Sequence, residues 1–410
     1  MSPTILRAVA LTAALLPAPA LAEPLSLDQA LSVAVQRSEA ARARRAAATS
    51  ANETARAAGQ LPDPMLRAAI ENVPVTGAER LRTGSESMTM KRIGISQEWL
   101  PADKRAARES AAQAMVEREA VQTGMAEAEV RLQVALAHLD AWVAEAALAL
   151  NTQTEHHLHE ELEAARARLA AALGGSAEVL QLAAAKGLAE DESEEARQQQ
   201  SAALVALERW VGFKPDAVAP AAAPAVPAEP DYVARHPSVT GLRRDVEVAR
   251  RSAAAAAAER TPNWTWEVAY GQRSGFPDLV SVGVSIPLQV APARRQDRET
   301  AAKLALVDQA EAELSEAVRS ATAEYRALAS DADRLQRRIE RYRDAVVTTA
   351  RQRTAAALAA YRSNQGSLAA LFESRHMELD AQRRLLDLRR DLARAQARMA
   401  FKPLPEGAAP

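Results

Sequence analysis

Residues 264–286, WTWEVAYGQRSGFPDLVSVGVSI, decide the fold because they contain two runs in which apolar and polar residues alternate. In the first run two tryptophans, a valine and a tyrosine alternate with polar or small residues, and in the second run valines and an isoleucine do so. A period of two predicts β-strands that have one apolar and one polar face. We therefore predict strands over residues 264–271 and 279–287.

Two runs with weaker alternation, at residues 65–73 and 88–99, predict a second pair of strands. Each run is long enough for a tilted membrane strand, and the two kinds of face are typical of a barrel with lipid outside and water inside. Two small hairpins packed on a helical bundle are the alternative, although isolated hairpins are marginally stable. Membrane barrels need about 8 strands or more, so other copies of the chain must complete a barrel. An open lumen favours three copies and twelve strands.

The chain is a tandem duplication, because short motifs recur in the same order at offsets between 189 and 200 residues. Both halves follow one plan of helix, two strands, long helix, tight turn and helix. The recurring pairs are Leu61-Pro62-Asp63 with Thr261-Pro262-Asn263, Gly94-Ile95-Ser96 with Gly283-Val284-Ser285, Arg108-Glu109 with Arg298-Glu299, and Gly174-Gly175-Ser176 with Gln365-Gly366-Ser367.

The duplication predicts the organisation of the whole chain. In order, it has a signal peptide (1–22), a first repeat (23–212), an extended Pro/Ala-rich linker (213–230), a second repeat (231–400) and a tail (401–410). Helices are predicted over residues 26–59, 102–172, 176–212, 231–260, 296–363 and 367–400. A heptad seam from Leu314 to Val346 predicts supercoiled packing of the second long helix. At ~1.5 Å per residue the first long helix is roughly 106 Å long, and the two shorter helices of its half together match that length.

The N-terminus has the pattern of a secretory signal, because Arg7 precedes an apolar stretch that ends in Ala20-Leu21-Ala22, an A-x-A cleavage site. We expect no other segment to reach the about 18 apolar residues of a transmembrane helix, so a membrane location requires a barrel. The chain has no cysteine, which excludes thiol catalysis, disulfides and a cysteine-linked lipid anchor. Its net charge of −2, with both signs interspersed, argues against a nucleic-acid partner.

Over nearly the whole mature chain, the order and spacing of these motifs resemble the TolC family of outer-membrane efflux proteins. The motifs that carry the resemblance are LSLDQAL at 25–31, LPDP at 61–64, VGVSIPL at 282–288 and QGSL at 365–368. Residues 264–288 are most similar to the heavy-metal branch of that family, the cobalt–zinc–cadmium and copper–silver components. Many members of this branch carry an N-terminal lipidated cysteine, which this chain lacks.

The resemblance implies a mainly α protein whose four strands join a trimeric, twelve-stranded barrel in the outer membrane. It also implies a helical tunnel that projects into the periplasm. The implied partners are outer-membrane lipid, a periplasmic adaptor and an inner-membrane pump of the resistance–nodulation–division type, and the implied cargo is heavy-metal cations. Export of drugs or secreted proteins is the alternative within this class. A periplasmic coiled-coil scaffold without a pore is the alternative outside it.

The resemblance further implies that two turns between helices are the periplasmic tips that meet the adaptor. A purely structural explanation also applies, because Gly ends helices and Ser caps them. Glu373 lies just past the second tip, where related proteins commonly carry Asp, so three copies would form an acidic ring that attracts cations. One more exposed helical glutamate is the alternative. The tip residues are Gly174, Gly175 and Ser176 in the first half and Gly366, Ser367 and Leu368 in the second.

His156 and His159 are the candidate metal ligands, though weak ones. They lie three residues apart in EHHLHEE (155–161), a spacing that suits a transition metal, but a solvated helix face is the better explanation. Met88 and Met90 are soft-ligand types, but on a strand we expect them to face lipid. No nucleophile elbow, phosphate loop or HExxH motif is present. We therefore predict no enzyme activity, no cofactor and no resident metal.

Overall fold

The structure is a computed structural model that describes residues 24–405. The predicted signal peptide and the last five residues of the predicted tail lie outside the described residues. The chain is mostly helical and has one small antiparallel sheet, which confirms the predicted class. In chain order the elements are α1 (Leu27–Arg37), α2 (Glu39–Ala58), β1 (Met65–Glu71), β2 (Met90–Trp99), α3 (Ala102–Ala170), α4 (Ser176–Val211), α5 (Glu229–Ala234), α6 (Pro237–Ala258), β3 (Trp264–Arg273), β4 (Leu279–Ser285), α7 (Gln296–Arg341), α8 (Thr348–Arg362) and α9 (Leu368–Phe401).

The first helix of each half is interrupted near its start, whereas continuous helices were predicted over 26–59 and 231–260. Ser38 leaves the helical conformation with ψ 110°, and its hydroxyl accepts a hydrogen bond from the Ala41 N–H, so it ends α1 and caps α2. In the second half Pro237 has no N–H to donate and keeps His236 extended at ψ 133°. The two breaks occur at similar places in the two repeats.

The second long helix, predicted as continuous over 296–363, contains a π-helical turn at Tyr342–Val347 between α7 and α8. Of the predicted heptad seam, Ala321 is buried together with Val239 of α6 and Leu314 packs beside them, but Val318 is exposed. The seam therefore contacts a neighbouring helix over only part of its length within one chain.

One 18-residue window of α3 is apolar enough to cross a membrane by length and composition. This corrects the expectation that only the N-terminus has such a window. By itself a single window is weak support for a membrane helix, because the core helix of a soluble protein meets the same criterion.

The four strands form one antiparallel sheet in the order β1-β2-β3-β4. The two hairpins are joined through β2 and β3, which pair from Met90 opposite Arg273 to Trp99 opposite Trp264. The first strand is shorter than the predicted 65–73, because Asn72 adopts a left-handed conformation (φ 56°) and donates its side-chain amide to the Met88 carbonyl. This contact closes the loop between the two strands of the first hairpin.

The described residues fall into two compact units. One contains the residues up to Val33 and Ala137–Ala222, and the other contains Ala34–Leu136 and the residues from Ala223 onward. The whole sheet lies in the second unit. The first unit contains residues of the first predicted repeat and of the linker, whereas the second unit draws on both predicted repeats, so the two repeats do not coincide with the division by contacts.

Candidate functional site

The sheet has one apolar face that the described residues leave largely uncovered. In the observed register, apolar side chains of all four strands form continuous rows, of which Leu66, Ile95, Val268 and Val282 form the central one. The exposed fraction of Val282 is 75%. Its apolar residues are Leu66, Ala68, Ile70, Ile93, Ile95, Trp99, Trp264, Trp266, Val268, Tyr270, Val280, Val282 and Val284, and its polar residues are Gln97 near one end and Lys91 and Gln272 at the other. A contiguous exposed apolar surface of this kind marks contact with a membrane or another protein.

The opposite face of the sheet is polar and carries an ion-pair network. Arg92 donates one hydrogen bond to Glu71 at 3.3 Å and another to Glu267 at 3.0 Å, which connects three strands. Met90 lies on this polar face, packed over Gly271, and not on the apolar face as we expected. The alternation predicted from the sequence is otherwise what the register produces. Two faces of opposite character are what a wall between lipid and water requires.

A buried polar junction lies where the sheet meets the helices of its unit. The Lys104 ammonium, only 2% exposed, donates to Glu259 at 3.0 Å and to Asn263 at 2.8 Å, and Arg108 donates to Glu259 at 2.7 Å. Burial raises the pKa of Glu259, but the hydrogen bonds from Arg108 and Lys104 outweigh it, so the net pKa is lowered. Asn263 also donates to Glu98 at 2.7 Å. The junction ties α3 and β2 of the first half to α6 and β3 of the second.

The turn between α3 and α4 and the turn between α8 and α9 have the same backbone geometry. Each places one residue in the left-handed conformation, Ala172 in the first turn and Asn364 in the second. The N–H of the next residue then donates five residues back, from Leu173 to Arg168 and from Gln365 to Ala360, at 2.8 Å in both turns. We expected glycine in the left-handed position. Glycine is instead needed at position 366, where the backbone passes close to the end of α8: a Cβ at Gly366 would lie 2.9 Å from the Ala360 Cβ.

The predicted tip residues differ in exposure and role. Gly175, Ser176 and Ser367 lie at the helix starts, and Ser367 caps α9 by accepting from the Ala370 N–H. The first turn is capped by Gly175 without a side-chain bond, so Ser176 is not the cap that the motif suggested. Leu368 is only 8% exposed and belongs to the hairpin core. Leu173, which we did not predict, is 80% exposed and presents an apolar side chain at the first turn.

Glu373 is exposed on α9 and ion-paired. Its carboxylate accepts a hydrogen bond from Arg353 of α8 at 2.9 Å, and a second Arg353 nitrogen lies 3.2 Å from the Met377 sulfur. A ring of Glu373 carboxylates would therefore be a ring of ion pairs, with less negative charge than the sequence suggests.

His156 and His159 lie on an exposed part of α3. His156 lies 3.3 Å from Glu160, and His157 lies 3.6 Å from the same carboxylate, as expected of a solvated helix face. Among residues 24–405 no group of three or more His, Asp or Glu side chains is arranged to hold a metal ion.

Sequence reasoning missed a buried cluster that joins α5, α7 and the end of α9. The Tyr232 hydroxyl donates to Glu324 at 3.1 Å, Lys402 donates to the same oxygen at 2.5 Å, and His236 lies 3.5 Å from the other oxygen. Burial, reinforced by Glu324, raises the pKa of Tyr232, while burial and then Lys402 lower the pKa of His236. These residues come from distant parts of the chain, so no local motif signals the cluster. It fixes the start of the C-terminal tail, just after α9, against α5 and α7.

A second missed residue, His138, anchors the N-terminal segment of the first unit. Its Nε2 lies 2.9 Å from the Leu25 carbonyl oxygen, which also accepts from the Ala219 N–H at 3.0 Å. Burial lowers the pKa of His138. Leu25 and Val218 form a short parallel bridge, so the N-terminal segment and the Pro-rich linker are fastened together.

No protein-family profile and no curated protein matches the chain. Solved structures do match it. The outer membrane protein VceC of Vibrio cholerae aligns with a TM-score of 0.72 at 18% identity, over 92% of this chain and 96% of that one. The CusC structure aligns at 0.77 and 13% identity, over 93% and 92% of the two chains. The open state of the Neisseria gonorrhoeae MtrE outer membrane channel aligns at 0.74 and 15% identity, over 92% and 88%.

These neighbours are outer-membrane channels of the TolC family. The chain therefore has the fold of a TolC-family channel. Identities this low establish the fold alone.

Proposed function

We propose that this protein is the outer-membrane channel component of a tripartite efflux system. The sheet carries the proposal, because it has an exposed apolar face, a polar face and two edge strands, β1 and β4, that no strand in the described part of the chain covers. Unsatisfied backbone groups cost several kcal/mol each in lipid, so these edges must pair with other copies. Three copies supply twelve strands and a lumen wide enough for transport. The protein is then a homotrimeric duct, and its likeness in fold to outer-membrane channels supports this.

We propose further that the helices project into the periplasm and that the two turns contact a periplasmic adaptor. Energy comes from an inner-membrane pump of the resistance–nodulation–division type. The exposure of Gly175, Ser176, Gly366 and Ser367 supports a contact at the turns. Leu173 is the natural apolar contact of the first turn, whereas Leu368 is too buried to take part.

Heavy-metal cations are the cargo we propose, on the resemblance of residues 264–288 to the heavy-metal branch. Deletion of the gene is expected to sensitise cells to such cations, and complementation by the intact chain is expected to restore resistance. Sensitivity to drugs alone would assign the drug-export alternative. Unchanged sensitivity to metals and drugs, with loss of a secreted protein, would assign the secretion alternative.

Fractionation and conductance test the channel itself. We expect the protein to sediment with outer membranes, to need detergent for release and to form conducting pores in a planar bilayer. A soluble protein without conductance would support the periplasmic scaffold and contradict the proposal.

The adaptor contact is tested by Gly175→Trp. A side chain at Gly175 meets nothing within 4 Å, so the turn is expected to fold around the bulky residue. We expect loss of adaptor crosslinking and of efflux, with assembly unchanged. Normal crosslinking and efflux would remove the turn from the adaptor interface.

The acidic ring is tested by a pair of variants that change opposite partners of one ion pair. Glu373→Ala removes the carboxylate and is expected to lower the cation preference of the pore, whereas Arg353→Gln frees the carboxylate and is expected to raise it. The same cation preference in both variants and in the wild type would show that Glu373 does not line the conducting path.

A further inference from the structure

The two hairpins of the sheet are copies of each other at the level of single residues. Met65 lies opposite Ser96 in the first hairpin, and Thr265 lies opposite Ser285 in the second. Positions in β1 therefore correspond to positions 200 residues later in β3, and positions in β2 to positions 189 residues later in β4. Each pair of opposite residues in β2 and β3 therefore has a corresponding pair in β4 and β1. Because β4 and β1 lie at opposite edges of the sheet, they do not pair with each other within one chain.

One counterpart is a pair of small residues that pack closely inside the chain. Gly94 lies opposite Ala269, and a Cβ added to Gly94 would come within 2.6 Å of the Ala269 Cβ. The corresponding residues are Gly283 and Ala69, again a glycine and an alanine. A Cβ added to Gly283 meets nothing within 4 Å in the single chain. The space that Ala269 fills beside Gly94 is thus open beside Gly283.

A second counterpart is the polar junction around Lys104. At the offset of 190 residues that relates Arg108-Glu109 to Arg298-Glu299, Lys104-Arg105 near the start of α3 corresponds to Arg294-Arg295 just before α7. Asn263, which accepts from Lys104 at 2.8 Å, corresponds to Asp63 in the other half. Arg294 and Asp63 are both exposed, and neither has an ion-pair partner among residues 24–405. Their opposite charges complement each other.

The surroundings of Arg294 and Asp63 are also incomplete in the single chain. The connection from β2 to α3 buries Leu100 at 2% exposure, whereas the connection from β4 to α7 leaves Leu288 and Val290 83% and 90% exposed. Gly59 corresponds to Glu259. A carboxylate oxygen of Glu109 lies 3.0 Å from the point that the Cβ of a side chain at position 59 would occupy. The edge near Asp63 therefore presents two carboxylates, and the edge near Arg294 presents basic and apolar side chains.

We infer that the β4 edge of one copy binds the β1 edge of a second copy in the register of the β2–β3 seam. Gly283 lies opposite Ala69 of the second copy, and Arg294 forms an ion pair with Asp63 of the second copy. This inference rests on the proposed multi-copy channel and specifies the contacts that build it. Because Asn263 is replaced by a charged Asp63, the contact between copies is ionic and weakens as salt rises.

Crosslinking tests the register, since the chain has no cysteine of its own. The variant Asp63→Cys/Arg294→Cys, treated in outer-membrane preparations with a short bis-maleimide, is expected to yield covalently linked copies. The matched control is Asp63→Cys/Glu316→Cys, in which the exposed Glu316 lies roughly 33 Å further along the helix direction at ~1.5 Å per residue. We expect no linked copies from the control.

Three further variants test the ion pair and the small-residue contact separately. Arg294→Glu is expected to lower the assembled-to-monomer ratio about fivefold per contact, and Arg294→Glu/Asp63→Arg is expected to restore it. Gly283→Leu has room in the single chain but collides with the second copy, so assembly is expected to fail while the helical content of the monomer is kept.

The outcomes separate the inference from the proposed function. An assembled, membrane-bound, conducting protein with no crosslink between positions 63 and 294, or with assembly unchanged by Gly283→Leu, overturns the inferred register and leaves the channel standing. A soluble wild-type monomer overturns both.

Discussion

Replacing Val282 by arginine places a charge at the centre of the apolar face. Val282 is the fourth of the seven residues of β4, so at about 3.3 Å per residue it lies roughly 10 Å from each end of the strand. It occupies the central apolar row with Leu66, Ile95 and Val268. Because the side chain is 75% exposed, an arginine fits within the chain without displacing other side chains. The variant therefore tests the environment of the face and not its packing.

The expected cost follows from the position of Val282 in the bilayer. An arginine on the lipid face of a barrel costs about 2–4 kcal/mol at the midplane. Three copies would then lose roughly 6–12 kcal/mol, comparable with the about 5–15 kcal/mol that stabilise a typical protein. The same change at Ile286, beyond the end of the strand, is expected to cost about 0–1 kcal/mol.

The matched control is Ser281→Arg, one residue earlier on the same strand and on the opposite, polar face. We expect Ser281→Arg to accumulate in the outer membrane like the wild type and Val282→Arg to be lost from it at least about tenfold, since about 1.4 kcal/mol already corresponds to that factor. The assay is quantitative immunoblotting of separated membrane fractions. Equal membrane accumulation of the two variants would refute a lipid-facing role for the apolar face.

Two further predictions concern local stability, and both use matched variants. Tyr232→Phe removes a hydrogen bond to the Glu324 carboxylate and is expected to cost about 1.5–3 kcal/mol, whereas Tyr325→Phe removes a bond to a neutral carbonyl and is expected to cost about 1 kcal/mol. Burial raises the pKa of Glu324, but bonding to Lys402 outweighs it and the net pKa is lowered. The stabilisation by this carboxylate is thus complete above about pH 4.3 and is lost as the pH falls through the lowered pKa of Glu324 in the folded protein. The difference between the variants, measured by denaturant unfolding, should therefore shrink as the pH is lowered from 7 through that pKa. Gly366→Ala collides with the preceding turn and is expected to accelerate proteolysis at the turn between α8 and α9, whereas Gly175→Ala, at the N-cap position of α4, meets open space and should leave cleavage of the first turn unchanged.

The class of every regular element was predictable from the sequence, because helices and strands have different periods. Alternation over 264–271 and 279–287 placed apolar side chains on one face, and the observed register aligns those faces across all four strands. The interruptions of three helices, at Ser38, at Pro237 and at the π-helical turn Tyr342–Val347, were not predicted. Ser38 and Pro237 act through one hydroxyl and one missing N–H, which change the apolar period too little to be noticed.

The positions of the two turns between helices were predictable from the sequence, but their backbone geometry was not. Gly-rich motifs marked both turns, but the left-handed residues are Ala172 and Asn364. Gly366 is required because the chain passes close to Ala360, and such close approach depends on how the backbone folds over the helix end. The pairing of Glu373 with Arg353 has the same origin, since it joins two helices across the turn.

By itself the sequence determined which residues form strands and helices, which face of each strand is apolar, and that the chain is duplicated. Only the tertiary structure decided which residues pack against each other. It pairs β2 with β3 across the two halves, buries Lys104 against Glu259, and brings Tyr232, Glu324 and Lys402 together. The physical reason is that local periodicity reports which side of a backbone avoids water, whereas the partner on that side depends on contacts between residues far apart in the chain. The same reasoning explains why the open space beside Gly283 and the free charges of Asp63 and Arg294 became visible only once the fold was complete.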